Sequence, residues 1–386
     1  MKEWDIKLIN RIQSIEKDEW DACANPDPGQ YNPFISYDFL NALEESGSAT
    51  EETGWAPYHM VLFDKNECLI GGIPMYLKNH SRGEYVFDHN WAEAYERSGG
   101  QYYPKLQISI PFTPVTGLRI ISKPGLNAGN IEQFLLNSCI NFAKKNHLSS
   151  IHLTFLKKSQ WERTIQSDFL PRIDQQYHWV NDNYQSFEDF LSRLSSKKRK
   201  NIKRERRTIK DHKLEVENLT GQEITEAHWD IFFNFYLNTG DRKWGTPYLT
   251  RRFFSLMSSQ LLDKTVLVLC KQNEQYIAGA LHFIGGDCLY GRYWGCVKYI
   301  PFLHFELCYY QAIEYAIKLG LYRVEAGAQG EHKVPRGYLP TRTYHAHWFS
   351  NPQFKEIISK YLKSEQTQVD DEIDYLNRFL PFRSNN

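Results

Sequence analysis

The chain has no apolar run approaching the roughly 20 residues that a membrane-spanning helix needs, so membrane insertion is not expected. Its opening residues, MKEWDIKLIN, lack the apolar core of a secretory signal. Seven cysteines stand singly between Cys23 and Cys308, with no CxxC pair. An odd, scattered set argues against a disulfide framework and against a zinc ribbon, and a reducing, cytoplasmic location is the expectation. No GxGxxG follows a first strand and no GxxxxGKS or GxxxxGKT occurs, which removes two common phosphate cradles. Net charge is lacking as well, because 46 basic and 46 acidic residues cancel. The average hides one exception: positions 197–213 hold ten Lys and Arg against Glu205 and Asp211, a local +8.

What the chain has is a repeat. Residues 61–77 read VLFDKNECLIGGIPMYL, and residues 268–284 read VLCKQNEQYIAGALHFI. At one offset, Val61/Val268, Leu62/Leu269, Asn66/Asn273, Glu67/Glu274, Ile70/Ile277 and Gly72/Gly279 are identical. Each stretch reads as a strand, a polar Asn-Glu turn and a second strand. An amphipathic helix precedes each: NPFISYDFLNALEESG from Asn32 and TPYLTRRFFSLMSSQ from Thr246. Both open on a polar residue and a proline, as helices often do. A chain of 386 residues can bury two ordinary cores. Duplication into a pseudo-symmetric protein is therefore expected.

Each half reads β-α-α-β-β-β-loop-α-β. In the first, strands at 5–9, 58–63, 68–77, 84–87 and 105–112 lead through a loop to a helix at 130–146 and a strand at 150–156. In the second, strands at 214–219, 265–270, 276–284 and 288–293 lead to a helix ended by Gly320 and a strand at 323–326. The expected division is 1–158, a linker at 159–194, and 195–386 opened by the basic helix. A doubly wound nucleotide-binding fold would alternate strand and helix throughout, and this chain does not.

Four stretches carry a family resemblance: NPFISYDFLNALEESGS from Asn32, FDHNWAEAYERSGGQYYPKLQISIPFTPVTG from Phe87, PFLHFE from Pro301, and EAGAQGEHKVPRGYLPTRTYHAHW from Glu325. The element order resembles the GNAT acyltransferase fold. Two such units with a basic helix opening the second resemble the Fem-type peptidyltransferases, which append amino acids to peptidoglycan precursors. The chain is most similar to the bacterial family described as predicted N-acyltransferases of peptidoglycan biosynthesis or recognition. The resemblance implies an α/β protein of the α+β type with tandem duplicated GNAT-like domains. It also implies transfer of an acyl or aminoacyl group, from acyl-CoA or aminoacyl-tRNA, to an amine on a small molecule or peptidoglycan precursor, with no metal. GNAT enzymes that use acetyl-CoA carry a Q/R-x-x-G-x-G/A loop whose amides hold pyrophosphate. The corresponding stretches here, FTPVTG and GCVKYIPF, do not fit, so the donor stays open.

The densest polar constellation is Glu325, Gln329, Glu331, His332, Lys333 and Arg336, where Gly327 and Gly330 allow sharp turns. Amine acylation needs a base and a stabilised oxyanion. Glu331 or His332 suits the base, with Glu325 and His345 as further catalytic candidates. Lys333, Arg336, Gln329 and His304 suit the donor's anionic groups. The same residues would also make a solvated polar loop. His345 and His347 share one strand face and, with His332 or Glu325, would allow zinc in an alternative reading as a hydrolase. In the first half, Asp88, His89, Trp91 and Glu93 suit an ammonium-bearing acceptor. Arg199 and Lys203, in the basic run, suit phosphate of a tRNA or of a diphosphate-linked precursor. A non-catalytic ligand-binding protein on the duplicated fold is the other reading.

Overall fold

A computed structural model describes residues 4–243, 247–327 and 330–383. In chain order its strands are β1 (Asp5–Ile9), β2 (Trp55–Pro57), β3 (His59–Phe63), β4 (Leu69–Ile73), β5 (Tyr76–Lys78), β6 (Lys105–Ile108), β7 (Ile121–Ser122) and β8 (Ser150–Leu156). They continue as β9 (Leu170–Val180), β10 (Leu214–Thr220), β11 (Thr265–Gln272), β12 (Gln275–Ile284), β13 (Cys288–Cys296), β14 (Arg323–Glu325) and β15 (Leu339–Phe349). The chain forms two compact units. One comprises Met1–Pro28, Phe34–Asp174 and Arg342–Asp371; the other comprises Gly29–Pro33, Gln175–Thr341 and Glu372–Asn386.

The second unit is the simpler. Strands β10, β11, β12 and β13 form an antiparallel meander, and β14 then lies parallel to β13. Parallel neighbours cannot be joined by a tight turn. The connection here is a helical crossover, Leu303–Phe305, Glu306–Tyr310 and Gln311–Lys318. Strand β9 pairs antiparallel with β14 on the side away from β13.

The first unit repeats this order with a break. The counterpart of β11 is bent into β2 and β3, and that of β12 into β4 and β5, so one sheet becomes two, β1-β3-β4-β7 and β2-β5-β6-β8-β15. Pro74 sits between β4 and β5 and has no N–H to continue a ladder. The Tyr58 N–H donates to the Met75 carbonyl at 2.8 Å and holds the bend. Beyond it, β6 and β8 run parallel across the crossover helix Ala128–Lys145, and β15 closes the sheet.

The repeated residues have matching physical jobs. Gly72 and Gly279 each pass beneath an aromatic ring of a preceding helix: an added Cβ would lie 3.3 Å from Trp20 in one unit and 3.0 Å from Phe232 in the other. Both hairpins shift register near the turn, between Leu62 and Phe63 and between Cys270 and Lys271. The repeated helices start later than the prolines suggest. Ser36 caps Tyr37–Glu45 by accepting the Phe39 N–H, and Thr250 caps Arg251–Gln260 by accepting the Phe253 N–H.

Two local expectations change. Residues 84–87 are not a strand; they lead into a helix, His89–Arg97, that turns Trp91 and Tyr95 inward. Residues 159–194, read as a linker, hold most of the helix Lys158–Thr164, all of β9 and the helix Phe187–Arg193. The core of the first unit gathers Met60, Leu62, Leu135, Leu153 and Trp348, and that of the second gathers Val268, Leu289, Ile313 and Tyr338. Among the described residues no helix is long and apolar enough to cross a membrane.

Gly295 of β13 tests how closely helix and sheet approach. A Cβ there collides with the backbone carbonyl of Phe235, whereas nothing lies within 4 Å of one at Gly47. Gly295→Ala is expected to lower the unfolding free energy by about 3 kcal/mol. Gly47→Ala, with φ +75° as its only penalty, should cost about 1 kcal/mol. Urea unfolding of both variants measures this, and equal destabilisation would contradict a backbone-limited approach.

Candidate active site

Strand β14 pairs with β13 at three positions only, Cys288 with Arg323, Leu289 with Val324 and Tyr290 with Glu325. It then ends, while β13 runs on to Cys296. Two groups face each other where the pair parts, and a third lies in the turn that follows. Glu325, the last residue of β14, is 3% exposed. Its Oε1 accepts from Arg323 Nε at 3.2 Å, and its Oε2 accepts no hydrogen bond from the described residues. His178 of β9 stands opposite Glu325 in register, with Nε2 3.9 Å from Oε2. Burial lowers the pKa of His178, which keeps the imidazole neutral. The third group is Lys333, held in the 3₁₀ turn Glu331–Arg336. Its ammonium is buried, donates to the Gly327 carbonyl at 3.0 Å, and lies 5.5 Å from the Tyr177 ring and 6.0 Å from the Tyr309 ring. Burial brings its pKa down to about 7, so both protonation states are populated at neutral pH.

The start of the crossover helix supplies an aromatic wall. Phe302 has φ 67°, a left-handed conformation unusual for a bulky side chain. The turn Glu306–Tyr310 is π-helical, a form often found at functional sites. Tyr309 hydrogen-bonds His332 Nε2 at 2.9 Å. Phe305 stacks on His332 with centroids 5.5 Å apart, and the His304 ring lies 5.2 Å from Trp294 and 6.2 Å from His332.

His304 and His332 thus meet, and Lys333, next to His332 in sequence, is tied to the Gly327 carbonyl two residues beyond Glu325. Glu331, in the same turn, is exposed. Gln329 lies outside the described residues. Arg336 points elsewhere: Nη2 and Nε reach the Glu205 carboxylate at 2.7 and 3.2 Å, Nη1 reaches the His332 carbonyl, and the guanidinium lies 3.6 Å over Phe305. Its charge is neutralised within the unit rather than held for an anion. Tyr310 also donates to Glu205.

The basic helix Ser196–Asp211 is anchored through the same residues. Ile202, Glu205 and Ile209 are buried along one stripe, and Arg206 bridges Glu306 and Glu314, each at 2.8 Å. The helix therefore buries a face despite having only two isoleucines, because its inward-facing charges are paired. Lys203 pairs with exposed Glu188 at 2.8 Å, and Arg199 is half-buried. Lys200, Arg204 and Arg207 are exposed, and among the described residues no carboxylate pairs with them.

The remaining candidates lie in the first unit. Asp88 is buried, and accepts from Lys105 Nζ at 2.6 Å and from Tyr102 at 2.7 Å. Burial raises its pKa, but the Lys105 ammonium overrides this and holds it below the usual carboxylate range. Its charge is already matched. His89 stacks on exposed Phe87, Glu93 pairs with Arg97 on the surface, and Trp91 packs edge-on against His347 at 5.0 Å. His345 is fully buried and takes the Phe155 N–H, while His347 shares a 2.7 Å hydrogen bond with His152; burial drives both far below the ordinary histidine pKa. No group of three potential metal ligands occurs among the described residues. Neutral buried histidines bonded to their neighbours are the reading the two support.

Two features escaped the sequence. His178 lies in a stretch read as a linker, although the alternation of LPRIDQQYHWV fits a strand. The tripeptide Ile-Pro-Phe also occurs twice, at 110–112 and 300–302, between the first parallel strand and the crossover helix of each unit. Phe112 and Phe302 both adopt left-handed backbone, φ 58° and 67°. This repeat would have placed the loop in both halves.

The FemAB-like family model, described as peptidoglycan biosynthesis/recognition, matches residues 11–384. The chain belongs to this family. Solved structures similar to it include FemX, with 13% identity, TM-score 0.53, and coverage of 92% of this chain and 100% of that one. L-PGS from Bacillus licheniformis follows at 7% identity, TM-score 0.52, with 86% and 98% covered. A conserved protein of unknown function from Bacteroides thetaiotaomicron has 12% identity, TM-score 0.51, with 89% and 100% covered. At these identities the likeness is one of fold. No curated protein matches the sequence.

Lys333 gives a pH test independent of turnover. Unfolded, its amine titrates at the ordinary lysine value of 10.5; folded, at about 7. Between these values the unfolded chain binds more protons, so stability rises with pH across that window. Lys333→Met should remove this rise, an increment of a few kcal/mol by about pH 10. Urea unfolding at about pH 7 and about pH 10 for both proteins measures it, and an unchanged slope would place Lys333 in water.

Proposed function

We propose that this FemAB-like protein is an N-acyltransferase that moves an acyl or aminoacyl group onto the amine of a small molecule or peptidoglycan precursor. One observation carries the reading: Glu325 faces His178 where β13 and β14 part, and the charge of Lys333, in the turn that follows, acts on the same His178. His178, kept neutral by burial and backed by Glu325, takes the first proton from the acceptor ammonium. The freed amine attacks the acyl carbon, and a C–N bond forms as the bond to the donor's sulfur or ribose oxygen breaks. Lys333 supplies positive charge beside the developing oxyanion. It gives its proton to the departing group and recovers one from the new amide nitrogen. The net proton stays on His178 and passes to water. His332 and His304 shape the entrance with Phe305 and Trp294, offering flat faces to a planar group of the donor.

Two donors suit a GNAT-like unit, acyl-CoA and aminoacyl-tRNA. The loop before the crossover helix carries Pro301, and its Leu303 N–H is already bonded to the Ile300 carbonyl. Glu306 stands buried in the first turn, where a pyrophosphate would lie. Both features favour a donor other than acyl-CoA. The exposed cations of the basic helix favour a polyphosphate chain such as tRNA. A cytoplasmic location follows from such a donor.

Chemistry and binding should separate on mutation. His178→Ala and Glu325→Gln are expected to lower kcat by roughly 10²–10⁴ with little change in KM. Single-turnover assays with aminoacyl-tRNA and with acyl-CoA donors measure this. Full activity in both variants would move the reaction centre away from β14.

The basic helix allows a separate test. Replacing Lys200, Arg204 and Arg207 by Ala should weaken tRNA binding and reduce its salt slope by about one for each phosphate no longer neutralised. The melting temperature should hold, because exposed charges contribute about 0–1 kcal/mol per pair. Calorimetry with CoA and gel shift with tRNA compare the donors. Unchanged tRNA affinity would leave the helix a solvated face.

A further inference from the structure

Strand β14 carries a second charged side chain beside Glu325. Arg323 lies two residues back, so both side chains leave the same face of the strand. Its Nε donates to Glu325 Oε1 at 3.2 Å, and its Nη1 donates to Asp287 Oδ2 at 2.6 Å. Asp287 stands in the turn between β12 and β13. Its backbone carbonyl takes the N–H groups of Tyr322 and Arg323, at 2.9 and 3.1 Å, where β14 begins. The turn thus holds the start of β14 through its backbone and through the guanidinium. One arginine charge is shared between two carboxylates in unlike surroundings. The Asp287 side chain is 39% exposed and that of Glu325 only 4%.

This sharing bears on His178. A carboxylate alone beside an imidazole favours the protonated ring, whereas a base has to start neutral. Burial lowers the pKa of His178 most, Glu325 raises it, and the charges of Arg323 and Lys333 lower it. On β9 itself, His178 Nε2 lies 3.3 Å from the uncharged Gln176 Oε1. From β13, Cys288 and Tyr290 stand in register with Arg323 and Glu325. Burial holds both well above their ordinary pKa values, so neither adds charge at neutral pH. Arg323 is therefore the charge bonded directly to Glu325, and Asp287 offsets that same guanidinium.

We infer that Asp287 and Arg323 are positioning residues of this site, a pair that decides how much of the Glu325 charge reaches His178. The inference rests on the acyl-transfer reading only in taking His178 as the base. Around a buried carboxylate, charges a few Å apart interact strongly. Removing Arg323 leaves Glu325 unopposed, and the imidazolium is stabilised. Removing the charge of Asp287 leaves Arg323 less offset, and the imidazolium is destabilised. The two substitutions therefore act on His178 with opposite sign, although they break the same ion pair. A merely structural ion pair would give no such opposition.

The test follows His178 directly, by nuclear magnetic resonance titration of the full chain carrying isotope-labelled histidine. The His178 signal is the one missing from His178→Gln. Arg323→Gln is expected to raise its pKa, Asp287→Asn to lower it, and Arg323→Lys, which keeps the charge, to leave it near that of the unaltered protein. Melting temperatures verify folding, and if Arg323→Gln does not fold, the Asp287→Asn arm decides. An unmoved His178, or shifts of the same sign in Arg323→Gln and Asp287→Asn, would overturn the inference. The acid limb of kcat/KM, measured with the donor that supports turnover, should move with the His178 titration in each variant. If His178 titrates as expected while that limb stays in place, the pair still tunes His178, and it is the assignment of His178 as the base that fails.

Discussion

A parallel strand pair governs each unit. Two parallel neighbours cannot be joined by a hairpin, so β6 and β8, and again β13 and β14, need a helix between them. That helix packs on the sheet and fixes where its own first turn lies. In the second unit the pairing lasts three residues, after which β14 ends and β13 runs on. The aromatic wall, the lysine turn and the Glu325–His178 pair all take their positions from this divergence.

Several charged groups buried inside the units are matched by an opposite charge. Glu205 and Arg336 form a two-point pair reinforced by Tyr310, and this ties the basic helix to the turn that carries His332 and Lys333. Removing one partner of such a buried pair typically costs about 3–5 kcal/mol, because the other charge remains. In the first unit, Lys105 plays the same part for Asp88 and Glu84. Lys333 donates to a backbone carbonyl beside aromatic rings, and burial brings its pKa down to about 7.

The duplication has diverged along physical lines. Gly72 and Gly279 keep the helix close to the hairpin in both units, and Ser36 and Thr250 keep the cap. Pro74 then splits the first sheet, while β12 runs unbroken for ten residues in the second. On the parallel pair of the first unit, His152 of β8 hydrogen-bonds Tyr102 and Lys105 of β6 donates to Asp88, all buried. Both units keep buried carboxylate oxygens that accept no hydrogen bond from the described residues, Glu84 Oε1 and Asp88 Oδ1 in the first and Glu325 Oε2 in the second.

The sequence by itself determined the repeat, the element order and therefore the fold, because glycines, turns and apolar periodicity act over short stretches that can be read locally. It also marked the lysine turn, since glycines and ionisable residues alternate there. Which of those side chains face one another was decided only in three dimensions. Arg336 and Lys333 look alike as cations, yet Glu205, 131 positions away from Arg336, pairs with the arginine and not with the lysine. His178 joins Glu325 through antiparallel pairing between strands far apart in sequence, and Asp88 is matched by a lysine 17 residues on. Such pairings depend on strand register and helix packing, which no local pattern encodes.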